Sequence, residues 1–441
     1  MRRAHRLYAF LAILVFTGAA LAAAQGLPTV KPEKVGLSPE RLERIGAVMQ
    51  QYIDDDRIAG TVTLVARDGK VAWFKTQGML DREAGTPMRS DAIFRICSMS
   101  KPIASVGIMM LYEEGKFLLD DPVWKYLPEF KNPQVLVKND DGTTYTVPAK
   151  TEITIRQLLT HTSGIGYHWS RDVGQMYFDA GVSHGMLQTS NTTRENARKI
   201  AQIPLMFNPG ERFEYGLNID VIGALVEVLS GMSFDEYLRV KIFEPLKMND
   251  TYFSVPESKL DQMSTAYTWY EDKGLNRFPD EPIDEGSLVY SSDYPYDGPR
   301  RYFSGGAGLS STVPDYARFC QMMLNGGELD GVRLLSPKTV QLMTHDQIGN
   351  RWQNNSYGFG FGLGFGIAGV NQPLKELTSP GRYGWGGFFY THFFIDPAEN
   401  MVGVFMAQLH PSGGLTLNSL FEVLAYQSVI ESRMEYDDFD D

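Results

Sequence analysis

Residues 94–130 read FRICSMSKPIASVGIMMLYEEGKFLLDDPVWKYLPEF. Ser98 stands three residues before Lys101, at the start of an apolar run that is typical of a helix. Residues i and i+3 share one face of a helix, so the two side chains are predicted to point the same way. Pro102 suits a first helical turn, where no backbone N–H is needed. The stretch therefore predicts a helix with a serine and a lysine at its N-terminus.

This Ser-x-x-Lys pair has two interpretations. A serine hydroxyl becomes a nucleophile when a base lies beside it, and a helix N-terminus helps to hold an oxyanion. The pair is equally a polar helix start, because the pattern is expected about once by chance in a chain of this size. It occurs once here. The pair alone does not decide between catalysis and a polar helix start.

Length and composition limit the class of protein. The 441 residues exceed one ordinary domain, so one elaborated enzyme domain or two tightly packed domains would fit. With 43% apolar and 21% charged residues, the composition indicates a folded chain with a large core. The net charge of −12 predicts no basic surface for nucleic acid or anionic lipid.

The first residues resemble a targeting signal. MRRAHR is basic, the following LYAFLAILVFTGAALAAA is apolar, and the small residues around Ala22 and Ala24 suit a signal peptidase. We therefore predict a signal peptide over residues 1–24 and an exported protein, periplasmic or secreted. A retained N-terminal membrane anchor is the alternative, because the apolar run is long enough to span a bilayer.

Cysteines and histidines give no sign of a cofactor. Cys97 and Cys320 are the two cysteines, and the sequence leaves their pairing open. Cys97 is interpreted as a small buried hydrophobic residue rather than a nucleophile. The seven histidines show no metal-ligand spacing, so neither a metal nor an organic cofactor is expected.

Both ends of the chain predict a helix joined to an antiparallel hairpin. A helix capped by Ser38 precedes two β-rich runs around Asp68-Gly69, which is a strong hairpin signal. Two apolar runs flank a turn at 396–400, and a C-terminal helix follows over 415–433. The fold class is therefore predicted as α+β, with one antiparallel sheet built from N- and C-terminal strands and flanked by helices.

The same patterns divide the chain into regions. Residues 27–114 and 301–434 are assigned to the sheet region, and residues 115–300 to a mainly helical insertion with long loops. Within that insertion the tyrosine-rich stretch 267–303 is predicted to be loop, a wall over a site. The acidic tail 435–441 is predicted to fray.

A second serine motif competes with Ser98. The sequence Gly181-Val182-Ser183-His184-Gly185 matches the G-x-S-x-G nucleophile elbow. That elbow needs an apolar strand before the serine and a helix after it. The flanking GQMYFDA and MLQTSNTT fit neither requirement, so Ser183 is interpreted as a loop residue.

Four stretches resemble, in order, motif regions of the serine β-lactamase-like superfamily. They are the opening stretch at 94–130, ITIRQLLTHTSGIGY at 153–167, NPGERFEYGLNIDVIGALVEVLSG at 208–231 and GWGGFFYTHFFIDP at 384–397. The branch that the chain most resembles is the family VIII carboxylesterases, which are related to class C β-lactamases and penicillin-binding proteins. The resemblance runs from about residue 34 to 432 and implies a β-lactamase/transpeptidase-like fold.

The resemblance also implies residue roles. It makes Ser98 the acylating nucleophile, Lys101 its partner and Tyr215, in EYGLN, the second-motif tyrosine. A phenol is a poor base, but an adjacent ammonium favours its anion, so the two side chains would together take the serine proton. Which of the two holds it stays open. Asp220 matches an acidic position that orients this network, or it is a surface or capping carboxylate.

The third motif departs from the β-lactamases. No Lys-Thr-Gly occurs in the chain, and Trp385-Gly386-Gly387 stands in its place, as in the esterases. The glycines let a substrate lie close to the backbone, and the tryptophan offers an apolar wall. By analogy, the backbone N–H groups of Ser98 and Phe388 form the oxyanion hole.

Two positions at which the β-lactamases have an asparagine and a lysine differ in this chain, and the differences affect the predicted substrate. Leu217 stands where β-lactamases have asparagine, and Asn218 is one residue late, which turns it about 100° away on a helix. Without the third-motif lysine, Arg382 is the neighbouring cation that could bind a carboxylate. His161 is interpreted as structural, since no acid partner is spaced for a triad, and His392 is interpreted as a strand residue.

We therefore predict an exported serine hydrolase that cleaves small-molecule carboxylic esters through an acyl-enzyme. One alternative keeps the chemistry and changes the substrate to a β-lactam or a D,D-peptide, with Arg382 as the carboxylate anchor. Another is a non-catalytic ligand-binding protein on the same fold. The presence of Ser98, Lys101 and Tyr215 together argues against the last. The sequence predicts neither the oligomeric state nor the acyl preference.

Overall fold

The described part of this computed structural model covers residues 26–352, 359–369 and 374–434. The predicted signal peptide and the acidic tail lie outside these residues and stay predictions. Within them, no helix has the length and apolarity needed to cross a bilayer. The helices are α1 Pro39–Asp54, α2 Ser100–Glu113, α3 Ile155–Leu159, α4 Gly174–Asp179, α5 Thr193–Ala201, α6 Asn218–Ser230, α7 Phe234–Leu238, α8 Glu244–Leu246, α9 Val313–Leu324, α10 Pro337–Met343 and α11 Leu417–Tyr426.

The strands fall into one large sheet and several two-stranded ribbons. In chain order they are β1 Gly60–Arg67, β2 Lys70–Asp81, β3 Thr86–Pro87, β4 Phe94–Arg95, β5 Gln134–Lys138, β6 Thr144–Pro148, β7 Tyr267–Tyr270, β8 Gly274–Arg277, β9 Ile283–Glu285, β10 Leu288–Tyr290, β11 Ser310–Ser311, β12 Glu328–Leu329, β13 Val332–Arg333, β14 Phe359–Phe361, β15 Gly366–Ala368, β16 Tyr383–Gly387, β17 Thr391–Asp396 and β18 Met401–Met406.

The large sheet joins the two ends of the chain. Its spatial order is β14-β15-β16-β17-β18-β1-β2-β3, and each of these neighbouring pairs is antiparallel. The central pairing, from Val62 opposite Met406 to Arg67 opposite Met401, brings the early hairpin against the late one. This arrangement, flanked by helices, confirms the predicted α+β fold class.

The predicted local signals occur where the sequence places them. Asp68 and Gly69 have φ of 53° and 72°, the two positive values that a type I′ hairpin requires, and Arg67 pairs with Lys70 around them. Ser38 caps α1, because its Oγ accepts from the Arg41 N–H. The C-terminal helix forms but is shorter than predicted, ending at Tyr426.

Helices cover both faces of the sheet. Alternate residues of each strand face opposite layers, so Leu64 packs in the core under α2, α6 and α9, whereas Val65 packs under α1 and α11. In β17, Phe393 and Phe394 divide between the two layers in the same way. The candidate site lies at the α2 and α6 side of this sheet.

The stretch 267–303 differs from its prediction. It is not all loop, because β7 to β10 form two ribbons within it. These strands are only three or four residues long, and β8 and β9 carry the charged residues Arg277, Asp284 and Glu285, so no extended alternating pattern marks the ribbons in the sequence. Phe278 and Tyr290 pack with the buried Cys97 and Phe389, which places the stretch behind the Ser98 turn. Both Cys97 and Cys320 are free buried thiols.

A buried ion pair fastens the two ends of the chain together. Arg67, at the end of β1, is fully buried and pairs with the carboxylate of Glu399 in the β17–β18 turn. Its guanidinium also donates to the carbonyl oxygens of Val35 at 3.0 Å and Glu399 at 2.9 Å. The pair thus links the N-terminal segment, the sheet and the late hairpin.

We expect Glu399→Gln to lower the free energy of unfolding by about 3–5 kcal/mol, because it leaves the Arg67 charge buried without a counter-charge. Urea unfolding followed by circular dichroism measures the change. Glu43→Gln is the control: the exposed Glu43–Lys75 pair, 3.0 Å apart, contributes about 1 kcal/mol or less. Equal losses in the two variants would contradict this account.

Candidate active site

Ser98 lies in a short 3-10 turn, Cys97–Met99, between β4 and α2. Two buried hydrogen bonds hold the turn: the Tyr316 hydroxyl donates to the Met99 carbonyl at 2.9 Å, and the Leu309 N–H to Ser100 Oγ at 3.0 Å. Cys97 has φ of 42°, a left-handed conformation that is strained for a residue with a side chain and recurs at functional sites. The strained turn leaves Ser98 partly exposed at the wall of a cleft.

Lys101 lies one turn further along, with only 1% of its surface exposed. Its Nζ donates to Ser98 Oγ at 3.2 Å and to the Gly306 carbonyl at 2.8 Å. The same Nζ stands 4.5 Å from the ring centroid of Tyr215, a cation–π distance. The structure therefore brings the three predicted catalytic side chains together, although they come from two distant segments.

Tyr215 sits in the loop before α6 and is held by an indole. Trp385 Nε1 donates to the Tyr215 hydroxyl oxygen at 3.2 Å. An indole N–H can only donate, so this contact stabilises negative charge on the phenol oxygen. The tryptophan that replaces the third-motif lysine thus contacts the predicted proton acceptor directly.

His161 and Asn218 support this loop from the interior. His161 Nδ1 accepts from the Gly216 N–H at 3.2 Å and faces Asn218 Nδ2 at 3.0 Å. Burial, then the Lys101 charge, lowers the pKa of His161 well below its usual range, so the ring is neutral with its proton on Nε2. Asn218 is fully buried, and Ser163 Oγ donates to its Oδ1 at 2.5 Å. Both side chains thus position the Tyr215 loop.

Asp220 is linked to Lys101 through the backbone of Gly306, whose N–H donates to Asp220 and whose carbonyl accepts from Lys101. Its Oδ1 accepts from Tyr302 at 2.7 Å, from Ser304 Oγ at 2.5 Å and from the Gly306 N–H at 3.4 Å. Burial raises the pKa of Asp220, and the hydroxyl donors oppose that effect. A Cβ on Gly306 would stand 2.4 Å from Asp220 Oδ2, so only glycine fits there. Gly306 was not among the predicted residues; the run Ser-Gly-Gly-Ala-Gly at 304–308 was its signal.

The predicted oxyanion segment lies against the Ser98 turn. Gly387 ends β16, and a Cβ there would stand 2.4 Å from the Ile96 carbonyl oxygen, so the close packing of strand and turn requires glycine. Phe388 follows and, like Trp385 and Gly386, lines the same cleft as Ser98. The oxyanion role of the Ser98 and Phe388 N–H groups stays a prediction.

The cleft has a volume of about 670 Å³ and a largely aromatic wall near Ser98. Trp169, 47% exposed, stacks on Tyr167 with ring centroids 3.8 Å apart. Further apolar lining comes from Phe213, Trp352, Phe359 and Leu374. A cleft of this size accommodates a drug-sized ligand rather than only a short ester.

Arg382 is not a free anchor for a carboxylate. It lines the cleft but is only 5% exposed, and its guanidinium pairs with Glu422 of α11. Glu422 also contacts His392 of β17. His392 is a strand residue, as predicted, but its cluster with Arg382 and Glu422 was not predicted.

Ser183 lies in a separate pocket of about 170 Å³, in the loop between α4 and α5. The element directly before it is the helix α4 rather than a strand, which confirms the loop interpretation. Its Oγ accepts from the Gly185 N–H at 3.2 Å. The adjacent His184 donates from Nε2 to the Val289 carbonyl at 3.0 Å, and its Nδ1 accepts from the Met186 N–H. Ser183 and His184 therefore support the loop.

Burial lowers the pKa of His184 to about 3. In the unfolded chain this histidine has a pKa near 6.5, so as pH falls below about 6.5 the unfolded state takes up a proton before the folded state does. The free energy of unfolding therefore decreases until the pH is low enough for the folded state to bind the proton as well. Between pH 6.5 and 4, this histidine makes the free energy of unfolding fall by up to about 1.4 kcal/mol for each pH unit, and we expect His184→Asn to remove that contribution to the slope. Urea unfolding across that range measures it, with Ser183→Ala as the control that keeps the wild-type slope. An unchanged slope in His184→Asn would contradict the assignment.

The chain is similar to known proteins along most of its length. The family model for Beta-lactamase matches residues 45–425. Esterase EstB of Burkholderia gladioli is 32% identical over 360 residues, which cover 80% of this chain and 87% of EstB. Protein Rv1367c of Mycobacterium tuberculosis is 30% identical over 385 residues, covering 83% and 89%. The solved structure of EstCE1 superposes on this chain with a TM-score of 0.77, and the two sequences are 29% identical. The superposition covers 89% of this chain and 99% of EstCE1, which is described as a hydrolase with promiscuous acyltransferase activity.

Proposed function

Because the chain belongs to the beta-lactamase family, as a serine hydrolase of that fold, we propose that it cleaves carboxylic esters through an acyl-enzyme on Ser98. The observation that carries this proposal is the position of Lys101 Nζ, buried and 3.2 Å from Ser98 Oγ at the wall of the cleft. A lysine in that place can take part in removing the serine proton.

The proposed reaction has two halves. Ser98 Oγ attacks the ester carbonyl carbon while its proton passes to the Lys101–Tyr215 pair, and the backbone N–H groups of Ser98 and Phe388 receive the oxyanion. Collapse of the tetrahedral intermediate breaks the bond to the alkoxide, which takes the proton and leaves. Water then attacks the acyl-enzyme by the same route and releases the acid.

Four features favour esters over β-lactams and D,D-peptides. Trp385 replaces the lysine that would bind a substrate carboxylate, and Leu217 replaces the amide. Arg382 is already paired with Glu422, so its charge is balanced inside the protein. The wall near Ser98 is aromatic, which suits an uncharged substrate.

The test is hydrolysis of p-nitrophenyl butyrate and of nitrocefin, side by side. We expect the wild type to cleave the ester faster, Ser98→Ala to lose about 10³-fold or more in kcat, and Ser183→Ala to stay within about twofold. Faster nitrocefin turnover would move the assignment to a β-lactamase. Activity that survives Ser98→Ala would remove the proposed nucleophile, and no covalent adduct with a serine-trapping phosphonate would favour a binding protein.

Trp385→Phe tests the indole contact. It removes the hydrogen bond to the Tyr215 oxygen while keeping an aromatic ring, and a bond to a group that carries charge contributes roughly 1.5–3 kcal/mol. We expect kcat to fall about 10- to 100-fold with little change in KM. Trp352→Phe makes the same change on the cleft wall, where the ring stacks on Phe213, and should cost less than about threefold. Equal effects would mean that the indole only fills space.

A further inference from the structure

The cleft has a polar end that the proposed mechanism does not use. β15 pairs with β16 only at Tyr383 and Gly384, so among the described residues the edge of β16 is open from Trp385 onward. Gly384 and Gly386 carry no side chains there, and the cleft continues across them to the α11 side of the sheet. The polar lining of the cleft on this side comprises Lys375, Glu376, Thr378, Arg382, His392, Asn418, Ser419 and Glu422.

Three of these side chains form a built cluster. Arg382, His392 and Glu422 are each more than nine-tenths buried, and the Glu422 carboxylate contacts both of the others. Arg382 already faces the Glu422 carboxylate, so a protonated His392 would place a second buried cation beside the same acid. Burial and the Arg382 charge lower the pKa of His392 to about 3. The imidazole is therefore neutral at pH 7.

The contact with Glu422 also fixes which nitrogen carries the proton. His392 Nε2 faces the carboxylate, so it is the N–H donor, and Nδ1 keeps its lone pair. Nδ1 lies 3.8 Å from the place that a Cβ would occupy on Gly386, the cross-strand partner of His392. Within the described chain, no protein group donates to Nδ1. A hydrogen-bond acceptor thus faces the open glycine edge.

We propose that His392 is a specificity-determining residue, whose Nδ1 accepts a hydrogen bond from a hydroxyl group on the part of the substrate that crosses Gly386. This inference rests on the proposed ester hydrolysis at Ser98 and names the substrate class: esters that join an apolar body to a hydroxyl-bearing group. The apolar body lies against the aromatic wall around Trp169. A neutral hydroxyl is favoured over a carboxylate, because the Arg382–Glu422 pair is already balanced.

Two matched pairs of esters test the proposal. p-Nitrophenyl 6-hydroxyhexanoate against p-nitrophenyl hexanoate places the hydroxyl on the acyl side, and 6-hydroxyhexyl butyrate against hexyl butyrate places it on the alcohol side. We expect the wild type to prefer the hydroxylated member of at least one pair by roughly 3- to 10-fold in kcat/KM, mainly through KM. His392→Leu should remove the preference. His392→Gln, which keeps a donor for Glu422 and an acceptor for the substrate, should keep part of it.

Gly386→Ala provides a second test, although Gly386 itself lies on the substrate edge of β16, so the activity on every ester is expected to change. Its added Cβ meets nothing closer than 3.4 Å and stands 3.8 Å from Nδ1, so the methyl group shields Nδ1. We expect the hydroxylated esters to lose more activity than the unsubstituted ones. No preference in the wild type, or a preference that persists in His392→Leu while the unsubstituted esters are still cleaved, overturns the role of His392 and leaves ester hydrolysis intact. A wild type that cleaves none of the four esters overturns the proposed function as well.

Discussion

The buried amino group of Lys101 is the constraint on which the site depends. A charged or strongly polar group in the interior is costly unless it is hydrogen-bonded, and Lys101 is almost fully buried. Ser98 Oγ and the Gly306 carbonyl oxygen supply its two acceptors, and the ring of Tyr215 covers it. The carbonyl can reach Lys101 only because Asp220 holds the loop of Gly306. One lysine thereby fixes the positions of α2, α6 and the loop before β11.

The sheet supplies the other half of the site. Pairing of β1 with β18 closes the chain on itself, and β17 and β16 continue from that pair toward the cleft. At the end of β16, the absence of a side chain on Gly387 lets the strand pack on the Ile96 carbonyl. The same strand therefore carries Trp385 to Tyr215, and Phe388, which follows the strand, lines the same cleft as Ser98.

Local structure could be predicted from the sequence because its causes are local. The Ser38 cap and the positive φ angles at Asp68-Gly69 depend on residues next to one another. The Ser98–Lys101 pair alone did not decide between catalysis and a polar helix start. Tyr215 was assigned to the same site only because the ordered motifs resemble those of a known family. The Gly306 carbonyl and the Glu422 partner of His392 were missed, because each contact joins distant segments and leaves no periodic pattern. The short ribbons of 267–303 were missed because their strands are only three or four residues long, too short to show a periodic pattern.

Charge balance connects the two ends of the cleft. Near Ser98 the charge of Lys101 faces Asp220 across Gly306, and at the far end Arg382 faces Glu422 directly. The resemblance to the β-lactamases implies a third-motif lysine that would hold a substrate carboxylate, whereas here the indole N–H of Trp385 donates to Tyr215. Replacing the lysine by Trp385 therefore does two things at once. It removes a cation that would attract an anionic substrate, and it adds a donor where negative charge develops during the proposed reaction. Both changes favour a neutral ester.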